Sequence, residues 1–276
     1  MDRRAAVLGS PIAHSLSPVL HRAAFEALGL RGWSYDAIEC DEDGLPGLLS
    51  AMGPEWAGLS LTMPLKRAVM PLLDTVSGLA VEVGGANTVV FREGGRHGEN
   101  TDVHGVVQAL AESGAPAPRA AAVIGGGATA ASSLAALREL GLREATLVAR
   151  DPARARETAE VAERLGLTLA VQTFDKIDTV LDVDLVISTL PSGAADAYAK
   201  TLAAVPVVFD VVYSPWPTPL ARAVHAAGGT IVSGFAMLLH QAIRQVELYT
   251  GHAHVPLETV RAAGETELLE RAARTG

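Results

Sequence analysis

The turn Gly125-Gly126-Gly127-Ala128-Thr129-Ala130 limits the possible folds of this chain more than any other segment. It follows a buried apolar run at 120–124 and precedes a helical pattern at 128–140. The spacing fits G-x-G-x-x-[G/A], in which glycines permit a tight turn and let the backbone approach a pyrophosphate at a helix N-terminus. The sequence therefore predicts a dinucleotide-binding strand–turn–helix unit. An ordinary glycine-rich βα turn is the alternative.

The second half of the chain continues this alternation after a linker-like stretch at 114–118. Strands are predicted at 145–149, 169–172, 185–188 and 205–210, with a helix at 152–165. Short apolar runs alternating with helices indicate a parallel sheet, in the order of a doubly wound dinucleotide-binding domain. We assign residues 105–232 to this domain.

The first half also reads as α/β, with strands at 5–8, 34–38 and 58–61. A hairpin is predicted from strands 88–92 and 96–99 around Gly94-Gly95. A helix at 18–28 is predicted to have Ser17 as its N-cap. Helices at 234–250 and 256–274 lie beyond the βα series, and we expect them to return to the first domain.

The predicted fold is therefore α/β, with an N-terminal α/β substrate domain at 1–104 and 233–276 and a doubly wound, Rossmann-type dinucleotide-binding domain. We expect the active site in the cleft between them, a common location for ligands.

Composition excludes several function classes. A net charge of −9 disfavours nucleic-acid binding, which needs clustered Lys and Arg. The single cysteine, Cys40, excludes an internal disulfide framework, and no apolar run is long enough for a transmembrane helix. His252-Ala253-His254 lacks a third ligand, so no metal site is expected. We expect a cytoplasmic protein, monomer or homodimer, with a small-molecule substrate and neither nucleic-acid nor membrane partners.

Two short polar segments carry a lysine and an aspartate, Lys66 and Asp102. Such a pair near a dinucleotide suggests proton transfer coupled to hydride transfer; a surface salt bridge is the alternative. Two hydroxyls, Ser15 and Ser17, follow the first strand and suit a carboxylate ligand, although helix capping would also explain them.

The residues after strand 145–149 bear on the cofactor type. Arg150 and Arg154 lie four residues apart and together suit a 2′-phosphate, which favours NADP. Asp151 could instead hold a ribose, as acidic residues do in NAD-binding domains. For Arg154, a solvated helix face is the alternative.

The segment Gly9-Ser10-Pro11-Ile12-Ala13-His14-Ser15-Leu16-Ser17-Pro18 resembles the G-x-P-[IV]-x-H-S-x-S-P signature of the shikimate dehydrogenase family. The likeness continues in order through blocks at 61–66, 85–88, 100–102, 210–220 and 234–241. Together these blocks are far more specific than any one of them, and they span nearly the whole chain.

The resemblance implies NADPH-dependent, reversible reduction of 3-dehydroshikimate to shikimate, a step in aromatic amino-acid biosynthesis. By the same resemblance, Lys66 and Asp102 form the catalytic pair, and Met237 lies near the nicotinamide. Substrate would be held by a set of polar side chains: Ser15, Ser17, Ser60, Thr62, Asn87, Tyr213 and Gln241. Cofactor would be held by the glycine-rich turn with a further set: Arg150, Arg154, Thr189, Val211, Gly234 and Met237. Whether Lys66 donates the proton or acts as an electrostatic clamp stays open.

The chain departs from the family pattern at four places, one of which is Arg22, which follows His21 where asparagine is common. Ser60 stands where asparagine is usual, and Ala128 stands where glycine is usual. Ala149-Arg150-Asp151 replaces a typical Asn-Arg-Thr, so that only Arg150 of these three residues is kept. An NAD-dependent quinate/shikimate dehydrogenase and a non-catalytic dinucleotide-binding regulator remain the alternatives.

Overall fold

The computed structural model describes the backbone of residues 2–275, and the side chains of these residues except 152–154 and 275. It divides the chain into two compact units. Unit 1 comprises Met1–Thr101 and Leu239–Gly276, and unit 2 comprises Asp102–Leu238. Within residues 2–275, no helix is long and apolar enough to cross a membrane.

The strands are β1 (Arg3–Gly9), β2 (Trp33–Glu39), β3 (Trp56–Leu61), β4 (Thr75–Val76), β5 (Thr88–Arg92), β6 (Gly95–Glu99), β7 (Ala121–Ile124), β8 (Glu144–Val148), β9 (Thr168–Gln172), β10 (Leu185–Ser188), β11 (Val207–Asp210) and β12 (Thr230–Ser233). The helices are α1 (Ser17–Ala27), α2 (Leu45–Ser50), α3 (Leu65–Ala68), α4 (Gly78–Val83), α5 (Asp102–Glu112), α6 (Ala128–Glu139), α7 (Pro152–Leu165), α8 (Ala199–Leu202), α9 (Pro219–Ala226), α10 (Gly234–Thr250) and α11 (Leu257–Thr275).

Unit 1 is built on a mixed sheet with strand order β2-β1-β3-β5-β6-β4. The strand β1 pairs in parallel with β2 and β3, whereas β5 pairs antiparallel with β3 and β6. The predicted hairpin is confirmed, but its turn is one residue earlier than predicted. Arg92 pairs with Gly95, so Glu93 and Gly94 form the turn, and both have positive φ. Two left-handed residues match the twist of a tight hairpin.

Unit 2 contains an all-parallel sheet with strand order β12-β11-β10-β7-β8-β9. Counted from β7, this is the order of doubly wound dinucleotide-binding domains, with its switch point between β7 and β10. The strands β7, β10 and β11 are buried along their whole length, as expected when helices cover both faces of a parallel sheet. The doubly wound prediction is confirmed.

Element boundaries show two informative differences from prediction. Strand β11 begins at Val207 rather than 205, because Pro206 has no N–H to give to a sheet ladder. Helix α1 begins at Ser17 itself, after a cap position at Leu16 without a side-chain cap, so the prediction of Ser17 as N-cap is wrong. Ser15 supplies the local hydrogen bond instead, since its Oγ accepts from Ser17 N–H at 3.3 Å.

The C-terminal helix α11 packs against α1 within unit 1. This confirms the expected return of the chain end to the first half. It places a long helix beside the segment that carries Ser15 and Ser17.

Candidate active site

The serine segment between β1 and α1 is held by charged side chains on two sides. Glu39, the last residue of β2, accepts from Ser10 Oγ at 2.6 Å and from Ile12 N–H at 3.0 Å. From α11, the Arg271 guanidinium donates to the carbonyls of His14 at 2.7 Å and Ser15 at 3.3 Å. The backbone around Ser15 is therefore fixed by residues distant in sequence.

Arg271 is itself held by an ion pair within α11. Its Nε lies 2.6 Å from Glu267 Oε1, one turn earlier, and Arg274 Nη2 reaches the same oxygen at 3.2 Å. The two arginines lower the pKa of Glu267, chiefly through the hydrogen bond from Arg271. The carboxylate thus stays charged and keeps Arg271 oriented towards the serine segment.

Three of the sequence motifs meet around Asn87 and the start of α3. Leu61 N–H donates to Asn87 O at 2.7 Å, and Ala86 N–H donates to Lys66 O at 2.9 Å. Thr101 N–H donates to Asn87 Oδ1 at 2.8 Å. Segments at 61–66, 85–88 and 100–101, far apart in sequence, therefore form one structural region of unit 1.

The catalytic candidates occupy helix starts. Lys66 lies in the short helix α3 and is half-buried, as is Thr62 just before it. Thr62 N–H donates to Leu8 O at 2.9 Å, which ties the segment to β1. Asp102 is the first residue of α5, buried at 4% exposure, where the helix dipole favours a carboxylate.

A buried hydrogen-bond network surrounds Asn87. Its Oδ1 accepts from Thr88 Oγ1 at 2.8 Å as well as from Thr101 N–H, and its Nδ2 donates to Thr101 Oγ1 at 3.0 Å. Gln241 Oε1 lies 3.4 Å from Asn87 Nδ2. Gln245, one helical turn after Gln241 on α10, donates to Thr88 Oγ1 at 2.9 Å. The two predicted substrate residues Asn87 and Gln241 are therefore neighbours.

Ser60 is buried beneath this region rather than presented to it. Its Oγ lies 2.6 Å from Tyr35 Oη, 2.7 Å from Gln245 Oε1 and 3.0 Å from Tyr249 Oη. A hydroxyl can donate once and accept twice, so protein groups already fill its capacity. Gly58, on the same face of β3, makes room for the Tyr249 ring, because a Cβ there would overlap it. Ser60 was predicted to bind substrate, and its contacts now favour a supporting role.

His21 completes the packing below Ser60. Its ring stacks on Tyr35 with centroids 3.9 Å apart, and its Nδ1 lies 2.9 Å from Ser17 O. Burial lowers the pKa of His21 to about 4, and burial raises the pKa of both Tyr35 and Tyr249. At neutral pH the histidine is therefore uncharged and both phenols are protonated.

In unit 2 the glycine-rich turn is shaped by Gly125. Its φ is +116°, and a Cβ at this position would overlap Thr189 Oγ1. Thr189 follows β10, and its hydroxyl donates to Ile124 O at 2.8 Å. Gly125 N–H donates to Val148 O at 2.8 Å. The predicted cofactor residues Gly125 and Thr189 thus meet at the switch point of the sheet.

The N-terminus of α6 is open. Gly127 occupies its cap position without a side-chain cap, is exposed, and would bring an added Cβ within 4 Å of no other atom. Gly126 O is held by Thr158 Oγ1 at 3.1 Å. Ala128 and Thr129 are half-buried, and Ala130 is buried. Unsatisfied N–H groups and the helix dipole suit a phosphate here.

The residues after β8 are exposed. Arg150 and Asp151 both face solvent just beyond the strand end at Val148. The side chain of Arg154 lies outside the described residues. Arg150 therefore lies at the carboxyl end of β8, the strand end at which doubly wound domains place residues that contact the ribose.

The loop after β11 is organised by a buried carboxylate. Asp210 accepts from Thr218 Oγ1 at 2.8 Å and from Val212 N–H at 3.2 Å, and burial raises its pKa. These bonds hold the two ends of the segment that carries Tyr213, which is half-buried. The loop that carries this predicted substrate residue is therefore fixed at both ends.

The first turn of α10 lies tightly against the same loop. A Cβ on Gly234 would overlap Val211 O, so only glycine allows this approach. Met237 follows on the helix and is buried at 8% exposure. Val211, Gly234 and Met237, all predicted to bind cofactor, thus belong to one corner of unit 2.

Several contributors were missed from the sequence. Gln245 lies four residues after Gln241, so the helical repeat alone could have placed it on the same face. Glu39 and Arg271 gave no local signal, since each acts on a segment far away in the chain. Across the described residues, no three His, Cys, Asp or Glu side chains are grouped so as to hold a metal ion.

Comparisons with known proteins agree with these features. Residues 7–89 match the family model described as the shikimate dehydrogenase substrate binding domain. Over 253 residues the chain is 37% identical to an NADP(+) shikimate dehydrogenase of Thermus thermophilus, covering 90% of this chain and 92% of that protein. The solved Mycobacterium tuberculosis shikimate dehydrogenase matches with a TM-score of 0.89 at 44% identity, covering 96% of this chain and 99% of that one. A solved Thermus thermophilus enzyme in complex with NADP(H) and shikimate gives a TM-score of 0.85 at 33% identity, with the same coverage.

Proposed function

Because the chain belongs to the shikimate dehydrogenase family, we propose that it catalyses the reversible, NADP-dependent reduction of 3-dehydroshikimate to shikimate. The observation that carries this proposal is the presence of Lys66 and Asp102 within matched motifs. They stand in a chain that is 37% identical to a named NADP(+) shikimate dehydrogenase over nine-tenths of its length. A non-catalytic regulator would have no need of either residue.

Unit 1 acts as the substrate domain and unit 2 as the dinucleotide domain. The family match at 7–89 falls in unit 1, and the doubly wound sheet with its glycine-rich turn falls in unit 2. The partners are the two small molecules. We place the reaction in the cytoplasm, which suits the single, buried cysteine.

The cofactor fits the turn at Gly125 to Ala130. The N–H groups at the open N-terminus of α6 bind a pyrophosphate, for which Gly127 leaves space. The guanidinium of Arg150 binds the 2′-phosphate. NADPH, when bound there, supplies the hydride. Thr189, Val211, Gly234 and Met237 line the rest of the site in this proposal, and Arg154 is assigned beside Arg150 from the sequence alone.

Lys66 acts on the carbonyl that is reduced. Hydride addition at C3 places negative charge on the carbonyl oxygen, and a cation within hydrogen-bond reach lowers the barrier. Lys66 stabilises this oxygen and Asp102 orients the ammonium group. In the oxidative direction the same pair receives the hydroxyl proton.

In this proposal, different side chains bind the carboxylate and the ring hydroxyls of the substrate. The hydroxyls of Ser15 and Ser17 bind the carboxylate, from a segment fixed by Glu39 and Arg271. Ring hydroxyls are bound by the carboxamides of Asn87 and Gln241, with Thr62 and Tyr213.

The deciding experiment follows nicotinamide absorbance with shikimate or quinate as substrate and NADP or NAD as cofactor. We expect rapid reduction of NADP with shikimate and little with the other three combinations. Turnover of quinate with NAD would contradict the proposal in favour of an NAD-dependent quinate/shikimate dehydrogenase. Absence of turnover in all four, with dinucleotide still bound, would favour a regulator.

Arg150→Ala sharpens the cofactor assignment. Loss of one charge-assisted phosphate contact is expected to raise the KM for NADP by roughly tenfold and to leave the KM for NAD unchanged. Asp151→Ala is the matched neighbour and should not raise the KM for NADP.

A further inference from the structure

We propose that Gln245 is a positioning residue for the reaction. Its carboxamide links Ser60 to Thr88, and by donating to Thr88 Oγ1 it supports the hydroxyl that in turn donates to Asn87 Oδ1. The proposal rests on the proposed function, in which Asn87 binds a ring hydroxyl of shikimate. It adds a residue that touches neither substrate nor cofactor.

The order of protons starts from a backbone group. Thr101 N–H can only donate, and it lies 2.8 Å from Asn87, so the atom it meets must be Oδ1. Thr88 Oγ1 lies 2.8 Å from the same oxygen and must donate as well. The Nδ2 group of Asn87 consequently points to Thr101 Oγ1 and towards Gln241 Oε1.

The next step passes through Gln245. Thr88 has one hydroxyl proton, which it gives to Asn87, so the group 2.9 Å away on Gln245 must be the Nε2 donor. That same Nε2 lies 3.3 Å from Asn87 O. The Oε1 of Gln245 is then turned to Ser60, which must donate across 2.7 Å.

The last step reaches two tyrosines. Since Ser60 gives its only proton to Gln245, the hydroxyls of Tyr35 and Tyr249 must both donate to Ser60 Oγ. Burial raises the pKa of both phenols, which keeps them protonated. Every member of the network is buried, Gln245 at 1% exposure, so water does not compete for these bonds.

Gln245 needs an acceptor at one end and a donor at the other. A methionine of similar length has no donor, and its sulfur is only a weak acceptor. A glutamate provides both only while protonated, because an ionised carboxylate cannot donate to Thr88. Gln245→Met therefore tests removal of the carboxamide. Gln245→Glu tests loss of the donor to Thr88 alone, at a pH at which the carboxyl is ionised.

The first test compares Gln245→Met with Gln108→Met, which makes the same change at a half-buried glutamine of α5. We expect Gln245→Met to raise the KM for shikimate roughly tenfold while the KM for NADP stays within about twofold. Wild type should also discriminate against a shikimate analogue that lacks one ring hydroxyl, and Gln245→Met should lose most of that discrimination. An equal rise in the KM for shikimate and the KM for NADP would overturn the proposal. So would full retention of the discrimination against the analogue.

The second test uses pH with Gln245→Glu. The titratable side chains around this position are Tyr35, Tyr249 and His21. The two phenols stay protonated, and in the wild-type chain burial lowers the pKa of His21 to about 4, with Gln245 one of its hydrogen-bonding neighbours. Burial should raise the pKa of the new carboxyl. The KM for shikimate in this variant is expected near wild type at pH 6 and to rise with pH, whereas wild type shows no such step.

Melting temperatures distinguish the proposed role of Gln245 from the proposed function of the protein. The Gln245→Glu protein should lose stability with rising pH relative to wild type, a readout that needs no substrate. A profile parallel to wild type would contradict the network. Failure of wild type to oxidise shikimate would instead contradict the proposed function and leave this stability comparison decisive for Gln245.

Discussion

The two units present ligand-binding groups in different ways. In unit 1 the candidate groups are side chains, and their orientation depends on a buried network that joins strands β3 and β5 to helix α10. In unit 2 the candidate site is mostly backbone, an open helix N-terminus beside glycines. The candidate site of unit 1 therefore depends on which side chains are present. The candidate site of unit 2 depends on where glycines are spaced along the turn.

Glycine also serves different purposes in the two units. Gly125 provides a left-handed φ and room for the Thr189 hydroxyl at the sheet's switch point. Gly58 provides room for the Tyr249 ring without any unusual φ. The first glycine shapes a binding turn directly, whereas the second admits a side chain that donates to Ser60. Substitutions in the two units should accordingly fail in different ways.

The largest effect is expected from Lys66→Ala in unit 1. Loss of the cation at the reduced carbonyl should lower kcat by roughly 10³-fold with only a few-fold rise in the KM for shikimate. Lys200→Ala, at an exposed site in unit 2, is the matched control and should retain the wild-type kcat. Near-normal turnover in Lys66→Ala would contradict the assignment of Lys66 as a catalytic residue.

A pair of glycine substitutions tests unit 2. Gly125→Ala combines an unfavourable φ with overlap at Thr189, so we expect it to lower the free energy of unfolding by about 2–4 kcal/mol. Gly127→Ala meets no protein atom, and because alanine is a poorer N-cap than glycine it should lower the free energy of unfolding by only about 0.5–1 kcal/mol. Its added methyl should nevertheless raise the KM for NADP roughly tenfold. Chemical denaturation and steady-state kinetics measure the two effects, and equal unfolding energies for both variants would refute the distinction.

The buried histidine gives unit 1 a pH dependence of its own. The folded-state pKa of His21 is about 4, below the ordinary 6.5, so the unfolded chain binds the extra proton between these values. Stability contributed by neutral His21 is therefore complete above pH 6.5 and is lost as pH falls. The loss should be roughly 2 kcal/mol at pH 5 and about 3 kcal/mol in total.

His21→Phe retains a ring to stack on Tyr35 and removes the titration. Urea unfolding at pH 7 and pH 5 should show a smaller difference for this variant than for wild type. An unchanged difference would mean that other groups cause the acid sensitivity.

The smallest effect is expected at the serine segment. Arg271→Ala removes two hydrogen bonds to the carbonyls of His14 and Ser15, which should raise the KM for shikimate about fivefold and leave kcat nearly unchanged. Arg274→Ala shares the Glu267 contact but not the serine segment, and it serves as the control. Equal KM values for shikimate in the two variants would argue that Arg271 does not position the serine segment.

The sequence predicted unit 2 well because its signals are local. The turn at Gly125, the buried strands and the helix at 152–165 each follow from a short pattern that repeats along the chain. The hairpin in unit 1 was found for the same reason, although its turn involves Glu93 and Gly94. Where a proline interrupts the ladder, as at Pro206, apolar pattern alone extends a strand too far.

The supporting residues of unit 1 could not be read in the same way. Ser60 was interpreted as replacing a substrate-binding asparagine, yet its hydroxyl is filled by Tyr35, Tyr249 and Gln245. Those partners are up to 189 residues away in sequence, and no periodicity links them. Hydrogen-bond saturation is a property of the folded neighbourhood, so it becomes visible only once β3 and α10 are packed.

The contact between Gly58 and Tyr249 also constrains how this sequence can change over evolutionary time. A larger residue at 58 is admissible only after the ring at 249 is lost, and that loss removes a donor from Ser60. Neither single replacement is neutral, so the three positions should drift as a set. Among descendants of this chain, a new residue at 58 should therefore appear together with new residues at 60 and 249.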